Sequence, residues 1–396
     1  MAEPMRAIDV ETAARRKPRD GGARAVKPSS RHDAYEVLVD RREADIAARW
    51  NHHEHQATTT VFQTSRWLET WYATIGRVQG QPLLLTVADR RTGALAAMLP
   101  LILRTDSLSR IIEFADADYN APALGPAAPI DVPDARLLWS AVCAALPDAD
   151  FLRLDKMPSM VEGRVNPLAL LPQARQSLTN SNVVAIDGGW SDYISTFERT
   201  FRKELERSWR VFLRHDGATF RRIEDRAEAM IVFAELERQQ SERLVGSGAG
   251  YNLDRPEMAE FYRKLVADGI GDGGVVLTAL TCRGEVVAAL LGVARGATYV
   301  MIRICSGSKE WSNCSPGRLV ITQTMQMLHA EGYRRFDFSI GDYAYKRRLG
   351  VSTRPLFRVA TPLSARGLPM SAYECAKRFV KQRPAIYAQV RRLRNL

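Results

Sequence analysis

Apolar and polar positions along this chain recur with two periods, and the switches between them mark its elements. Residues 64–75 place Trp67, Leu68, Trp71 and Tyr72 on one stripe at helical spacing. Residues 83–88, 94–103 and 110–114 read as strands, the first two joined by the turn Asp89-Arg90-Arg91-Thr92-Gly93. Residues 133–146 begin with a proline, which suits the first turn of a helix. Residues 151–154 and 182–186 read as further strands.

The second half repeats the order. The pattern predicts helices over 192–214, 226–243 and 256–268. Strands over 275–281, 286–293 and 298–305 follow, joined by short turns, then a helix over 317–331 and a strand over 335–340. In both halves helices precede an antiparallel meander, and a helix and another strand follow it. No residue-level repeat is visible, so duplication is read from element order alone. The expected fold is mixed α/β (α+β), with two tandem lobes over 32–187 and 188–365, each a mostly antiparallel mixed sheet flanked by helices. Residues 1–31 are rich in Arg, Ala, Gly and Pro with little apolar periodicity, and read as a disordered basic tail.

Charge sharpens this division. The formal charge of +11 divides into a net +4 over residues 1–31 and a net +7 over residues 366–396, so residues 32–365 are neutral. A nucleic-acid-binding domain usually carries its basic excess in the folded part. The neutral core therefore argues against DNA as a partner, and against tRNA. Residues 366–396 form a basic amphipathic segment, read either as a contact to the inner face of a membrane or as a helix packed on its own domain. No apolar run approaches the roughly 20 residues of a membrane span, and the first residues hold no secretory apolar stretch. Five scattered cysteines, never in C-x-x-C spacing, fit a reducing cytoplasm. His52, His53 and His55 lack the spacing of a helical metal site, so no metal is expected.

The richest stretch for chemistry runs from Trp311 to Gly350. Ser315 suits an N-cap, Pro316 the first helical position, and Gly317 keeps the backbone open to approach. With Arg318 and Leu319 they form a helix start suited to a phosphate or pyrophosphate. Along 335–340, Phe336, Phe338 and Ile340 fall on one face and Asp337 and Ser339 on the other. The strand delivers Asp342, Tyr343, Tyr345 and Lys346 just beyond its end. In the helix 192–214, Lys203 and Arg207 belong to a basic stripe opposite an aromatic one, suited to an acidic substrate or simply solvated. Asp118-Tyr119-Asn120 reads either as part of a substrate pocket or as a turn in which Asn120 satisfies local backbone groups. Cys314, beside the helix start, reads either as a nucleophile or as a small filler before the N-cap, with no partner base identifiable from the sequence.

The S-P-G-x-L helix start followed by G-(x)3-F-D-F-(x)2-G-D-(x)2-Y-K resembles the Fem-like branch of the GNAT acyltransferases. The nearest resemblance is to CelD-like, cellulose-biosynthesis-associated acetyltransferases. It spans roughly residues 49–361 and includes Q-T-S-R-W-L-E-T-W-Y (63–72) and D-Y-N (118–120). The resemblance implies two GNAT-like lobes and acetyl-CoA or another acyl-CoA as co-substrate, bound at 315–319, with no permanent cofactor. It also implies acyl transfer to an amine or hydroxyl on a glycan or amino-sugar precursor of a cell-surface polysaccharide. Asp342 would then serve as base, Tyr345 as acid for the leaving sulfur, and Lys346 would hold a phosphate or the oxyanion. Asp337, Asp118, Tyr119, Asn120, Lys203 and Arg207 would contact the acceptor. The alternatives are a Fem-type transferase using aminoacyl-tRNA and a non-catalytic scaffold in exopolysaccharide assembly.

Overall fold

The computed structural model describes residues 34–106, 109–245, 255–307, 309–383 and 386. The segment 1–31 and most of 384–396 lie outside them. In chain order the strands are β1 (Tyr35–Asp40), β2 (Gln81–Asp89), β3 (Leu95–Thr105), β4 (Arg110–Phe114), β5 (Ala123–Leu124), β6 (Phe151–Pro158), β7 (Met160–Val161), β8 (Arg164–Val165), β9 (Arg175–Ala185), β10 (Ala218–Ile223), β11 (Val275–Cys282), β12 (Glu285–Arg295), β13 (Thr298–Ser306), β14 (Arg335–Ile340) and β15 (Ser352–Pro362). All but the β7–β8 hairpin join one 13-stranded sheet ordered β1-β2-β3-β4-β6-β15-β9-β14-β13-β12-β11-β10, with β5 paired to β3.

The pairing makes the duplication physical. Each half has an antiparallel meander ending in one short parallel pair, β4 with β6 and β13 with β14. The last strand of each half then crosses over. β9 pairs with β14 of the second half, and β15 pairs with both β6 and β9. The sheet is therefore continuous through the middle of the molecule, with each half completed by a strand from the other.

Strand alternation distributes the core. Leu84 and Met98 face one way, into a cluster with Trp50, Trp67 and Trp71 of the first half and Phe233 and Phe261 of the second. Trp67 meets Phe261 edge-to-face at 4.9 Å. Leu83, Leu85 and Leu99 face the other way, against Ala135, Leu138 and Val142 of the helix Val132–Ala145. In the second half the helix Pro316–Ala330 takes the corresponding place. It buries Leu319, Met325 and Leu328 against Leu290, Tyr299 and Phe336.

The expected helix over 192–214 is two helices, Trp190–Ser195 and Arg199–Leu213. The hydroxyls of Ser195 and Thr196 donate back to the carbonyls of Asp192 and Tyr193 at 2.6 and 2.7 Å, competing with helix continuation. Phe197 then turns into the core beside Phe201. Sequence periodicity also passed over β1, β10 and β15. These strands carry many polar positions and are ordered by their neighbours. The basic segment after residue 365 contains a docked helix, Leu368–Lys381, whose Glu374 is buried.

Candidate active site

The site is made by two parallel strands that part. β13 and β14 pair only at Thr298–Arg335, Tyr299–Phe336 and Val300–Asp337. Beyond these residues they diverge around a cavity of about 610 Å³. Met301 to Ser306 line one side and Phe338, Ser339 and Ile340 the other, with Gly317, Arg318 and Ile321 at the helix start. Gln240 and Arg243 reach it from the helix Arg226–Val245, and Asp118 enters from the first half. Strands held apart this way leave backbone groups exposed to pair with an extended ligand.

The helix start differs in detail from the sequence expectation. Ser315 is at the N-cap but adopts a left-handed φ of 50°, and its side chain caps no amide. Its hydroxyl instead accepts from Arg318 Nη2 at 2.7 Å. Pro316 has no N–H, and the amides of Arg318 and Leu319 both donate to the Ser315 carbonyl at 3.0 and 3.2 Å. That leaves the Gly317 amide as the first-turn donor for a ligand. A Cβ on Gly317 would meet Ser306 Cβ only at 3.4 Å, so the approach is open. Arg318 forms an ion pair with Glu204 at 2.9 Å beside the cavity. The Leu319 side chain is buried in the core and is not a ligand contact. Cys314 is likewise buried, donates to Trp311 O, and has its thiol pushed up by burial, which fits a filler.

At the end of β14 the pleat breaks. The register against β9 shifts between Asp337 and Ile340, and Ser339 takes a φ of 60°. A bulge re-aims side chains. The Ser339 amide donates to Asp337 Oδ1 at 2.6 Å, and its hydroxyl donates to Asp118 Oδ2. The Tyr119 hydroxyl donates to the same Asp337 oxygen at 2.6 Å. Burial raises Asp337 to about 7, against the lowering effect of these two hydrogen bonds. Burial also raises Asp118, opposed by Ser339 and by nearby Lys156. Two carboxyls from different halves thus meet at one bulge. Asp118 faces the main cavity, while Asp337 and Tyr119 face a second cavity of about 300 Å³.

Lys346 is buried, and its ammonium donates to the carbonyls of Phe338, Ile340 and Gly341 at 2.8, 2.8 and 3.0 Å. Burial lowers it to about 8 despite Asp337, Asp118 and Asp342 nearby. Its three protons are committed to the strand end, so it shapes the turn and does not hold a phosphate. Asn182 secures the same turn from β9, its side-chain amide donating to Ser339 O and Gly341 O at 3.1 and 2.9 Å. Tyr345 lines the cavity, and burial pushes its phenol up to about 12, so it stays protonated at neutral pH.

Three expected roles are corrected by position. Asp342 is exposed, lies outside the cavity lining and sits 3.5 Å from Arg347, so it is not placed to act as base. Lys203 and Arg207 are exposed on the helix Arg199–Leu213 and do not line the cavity. Asn120 holds its own loop together. Its Oδ1 accepts from Ala117 N, and its Nδ2 donates to Asp116 Oδ1 and Asp155 O. Sequence reasoning passed over Gln240, Arg243 and Asn182 as site residues. Their elements are helical or strand-like with nothing local to set them apart, and only the packing brings them here.

Residues 199–347 match the family model described as an acetyltransferase (GNAT) domain. The matched residues lie in the second half, which holds the parted strands. The crystal structure of FemX superposes with a TM-score of 0.57 at 14% identity, covering 85% of this chain and 99% of FemX. The structure of L-PGS from Bacillus licheniformis gives 0.48 at 13% identity, covering 84% and 95%. A tandem GNAT protein from the clavulanic acid biosynthesis pathway gives 0.45 at 12%, covering 83% and 99%. No curated protein sequence matches the chain. The likeness to FemX establishes a shared fold over nearly its whole length.

Proposed function

We propose that the chain transfers an acyl group, acetyl by preference, from acyl-CoA to an amine or hydroxyl of a cell-surface polysaccharide precursor. The parting of β13 and β14 carries this reading, with the open Gly317 amide and Arg318 on one side of the cavity and Asp118 on another. The pantetheine arm of the donor would extend along the exposed strand edges. Its diphosphate would meet the Gly317 amide, with Arg318 and Arg243 nearby. The acceptor nitrogen or oxygen attacks the thioester carbonyl and passes its proton to the Asp118 carboxylate. The collapsing intermediate releases the thiolate, which Tyr345 meets as a hydrogen-bond donor, and the displaced proton ends on the thiol. Asp337, Ser339 and Lys346 hold Asp118 and the strand end in place. The glycan acceptor rests on the sequence resemblance alone.

Titration calorimetry with acetyl-CoA tests the donor. Wild type should bind, and Gly317→Asp should bind at least about 100-fold more weakly, because it puts negative charge where the diphosphate approaches. Absence of binding to wild type, or equal binding to the variant, refutes the reading. The exposed Lys203, Arg207 and Arg210 of the helix Arg199–Leu213 favour the rival donor, aminoacyl-tRNA. Tight, salt-sensitive tRNA binding that disappears in Arg207→Glu/Arg210→Glu would establish that rival.

A further inference from the structure

The C-terminal helix Leu368–Lys381 is docked by its polar side. Glu374, 7% exposed, accepts from Arg358 Nη2 at 2.8 Å and from Arg153 Nη1 at 2.9 Å. Arg378 Nη1 donates to Gln176 O at 2.7 Å. Just before the helix, Gly367 lies so close to Asp150 that a Cβ would meet its carbonyl oxygen at 1.9 Å. The helix is thus fixed in one orientation, with its apolar side outward. Leu368, Ala372, Tyr373, Cys375, Ala376 and Phe379 share a sector roughly 160° wide at 3.6 residues per turn. The three largest are 59%, 60% and 51% exposed, in the order Leu368, Tyr373 and Phe379. Helices of globular proteins ordinarily bury such a stripe.

We infer that this face is a docking surface for an anionic phospholipid bilayer. Charge decides between occupants. Residues 366–396 carry a net +7. Two copies pressed together through this face would bring two such segments into mutual repulsion, whereas an anionic lipid surface attracts them. Arg383, just past the C-terminal end of the helix, lies over the Phe379 ring at 3.6 Å, where a lipid headgroup would meet it. Lys381 is exposed in the last turn of the helix, and Arg391, Arg392 and Arg394 follow in the sequence. Among the described residues no helix is long and apolar enough to cross a membrane, so the contact is interfacial.

The test is co-sedimentation of the full chain with vesicles, one set phosphatidylglycerol with phosphatidylcholine, the other phosphatidylcholine alone. Wild type should bind the anionic vesicles and leave the neutral ones. The variant Leu368→Ser/Tyr373→Ser/Phe379→Ser should bind about tenfold more weakly or worse. Its melting temperature should not fall, because all three side chains are exposed. Failure of wild type to bind, or equal binding by the variant, overturns the inference. So does a dimer in sedimentation velocity that the variant dissociates, in a wild type that ignores vesicles; that result assigns the face to a second copy. None of these measurements involves acyl-CoA, so the outcome is independent of the proposed reaction.

Discussion

At the scale of single residues, the site is a meeting of groups whose charges are expensive to bury. Asp337 is enclosed by Tyr119 and the Ser339 amide, and burial lifts it to about 7. A folded-state value above the unfolded one means that the native chain keeps this proton longer than the unfolded chain does. The contribution to stability is full below the ordinary carboxylate value of 3.8 and is lost as pH rises through about 7. The melting temperature should therefore contain a component that falls between these values, and Asp337→Asn should flatten it. A variant with the wild-type pH profile would show that Asp337 is ionised at neutral pH in the native state. The identity of Asp337 was legible in the F-D-F-S motif. Its partner Asp118 lies 219 positions away in the chain, and nothing in the local pattern joins the two.

At the scale of the element, the decisive piece is the end of β14. Alternation predicted a regular strand with Phe336 and Phe338 inward, and both are buried. It could not predict the bulge at Ser339, because the left-handed turn is set by groups brought from elsewhere. These are Lys346 and Asn182 on the freed carbonyls and Asp118 on the hydroxyl. Replacing Lys346 by Met keeps the aliphatic bulk and removes all three donors. Each unsatisfied buried carbonyl costs about 1–3 kcal/mol, so chemical denaturation should show a loss of at least about 2 kcal/mol. Turnover should fall as well, since the turn positions Asp118. Lys346→Met with wild-type stability would remove the strapping role. Wild-type acyl transfer by Asp118→Asn would separately remove the proposed base, for which a loss of roughly 10²–10⁴-fold is expected.

At the scale of the whole molecule, the exchange of β9 and β15 ties the halves into one sheet, and the C-terminal helix is clamped beside the junction. Composition set residues 366–396 apart as a basic segment, read either as a membrane contact or as a helix packed on its own domain. The structure packs the helix Leu368–Lys381 against its own domain, and removing it strips Glu374 from Arg153 and Arg358. Arg153 keeps Glu113, whereas Arg358, buried in the intact chain, loses its ion pair to Glu374. Taking one partner from a buried ion pair costs about 3–5 kcal/mol. Both Glu374→Ala and a chain ending at residue 365 should lose stability on that scale in urea denaturation. Unchanged midpoints would show that the packed helix does not stabilise the fold.

What the sequence determined by itself is most of the regular elements and their order, because alternation and helical spacing are local properties of the chain; β1, β10 and β15 and the break between Trp190–Ser195 and Arg199–Leu213 escaped it. It also determined the duplicated plan and the S-P-G helix start, both readable within short windows. Tertiary structure alone decided which chemical groups meet. It drew Asp118 and Tyr119 to Asp337, turned Asp342 out to solvent, and committed Lys346 to backbone carbonyls. It crossed the last strands between halves and turned the apolar side of the final helix outward. These outcomes depend on burial and on partners far away in the chain, and the free energies that select them arise only when the two halves close on each other.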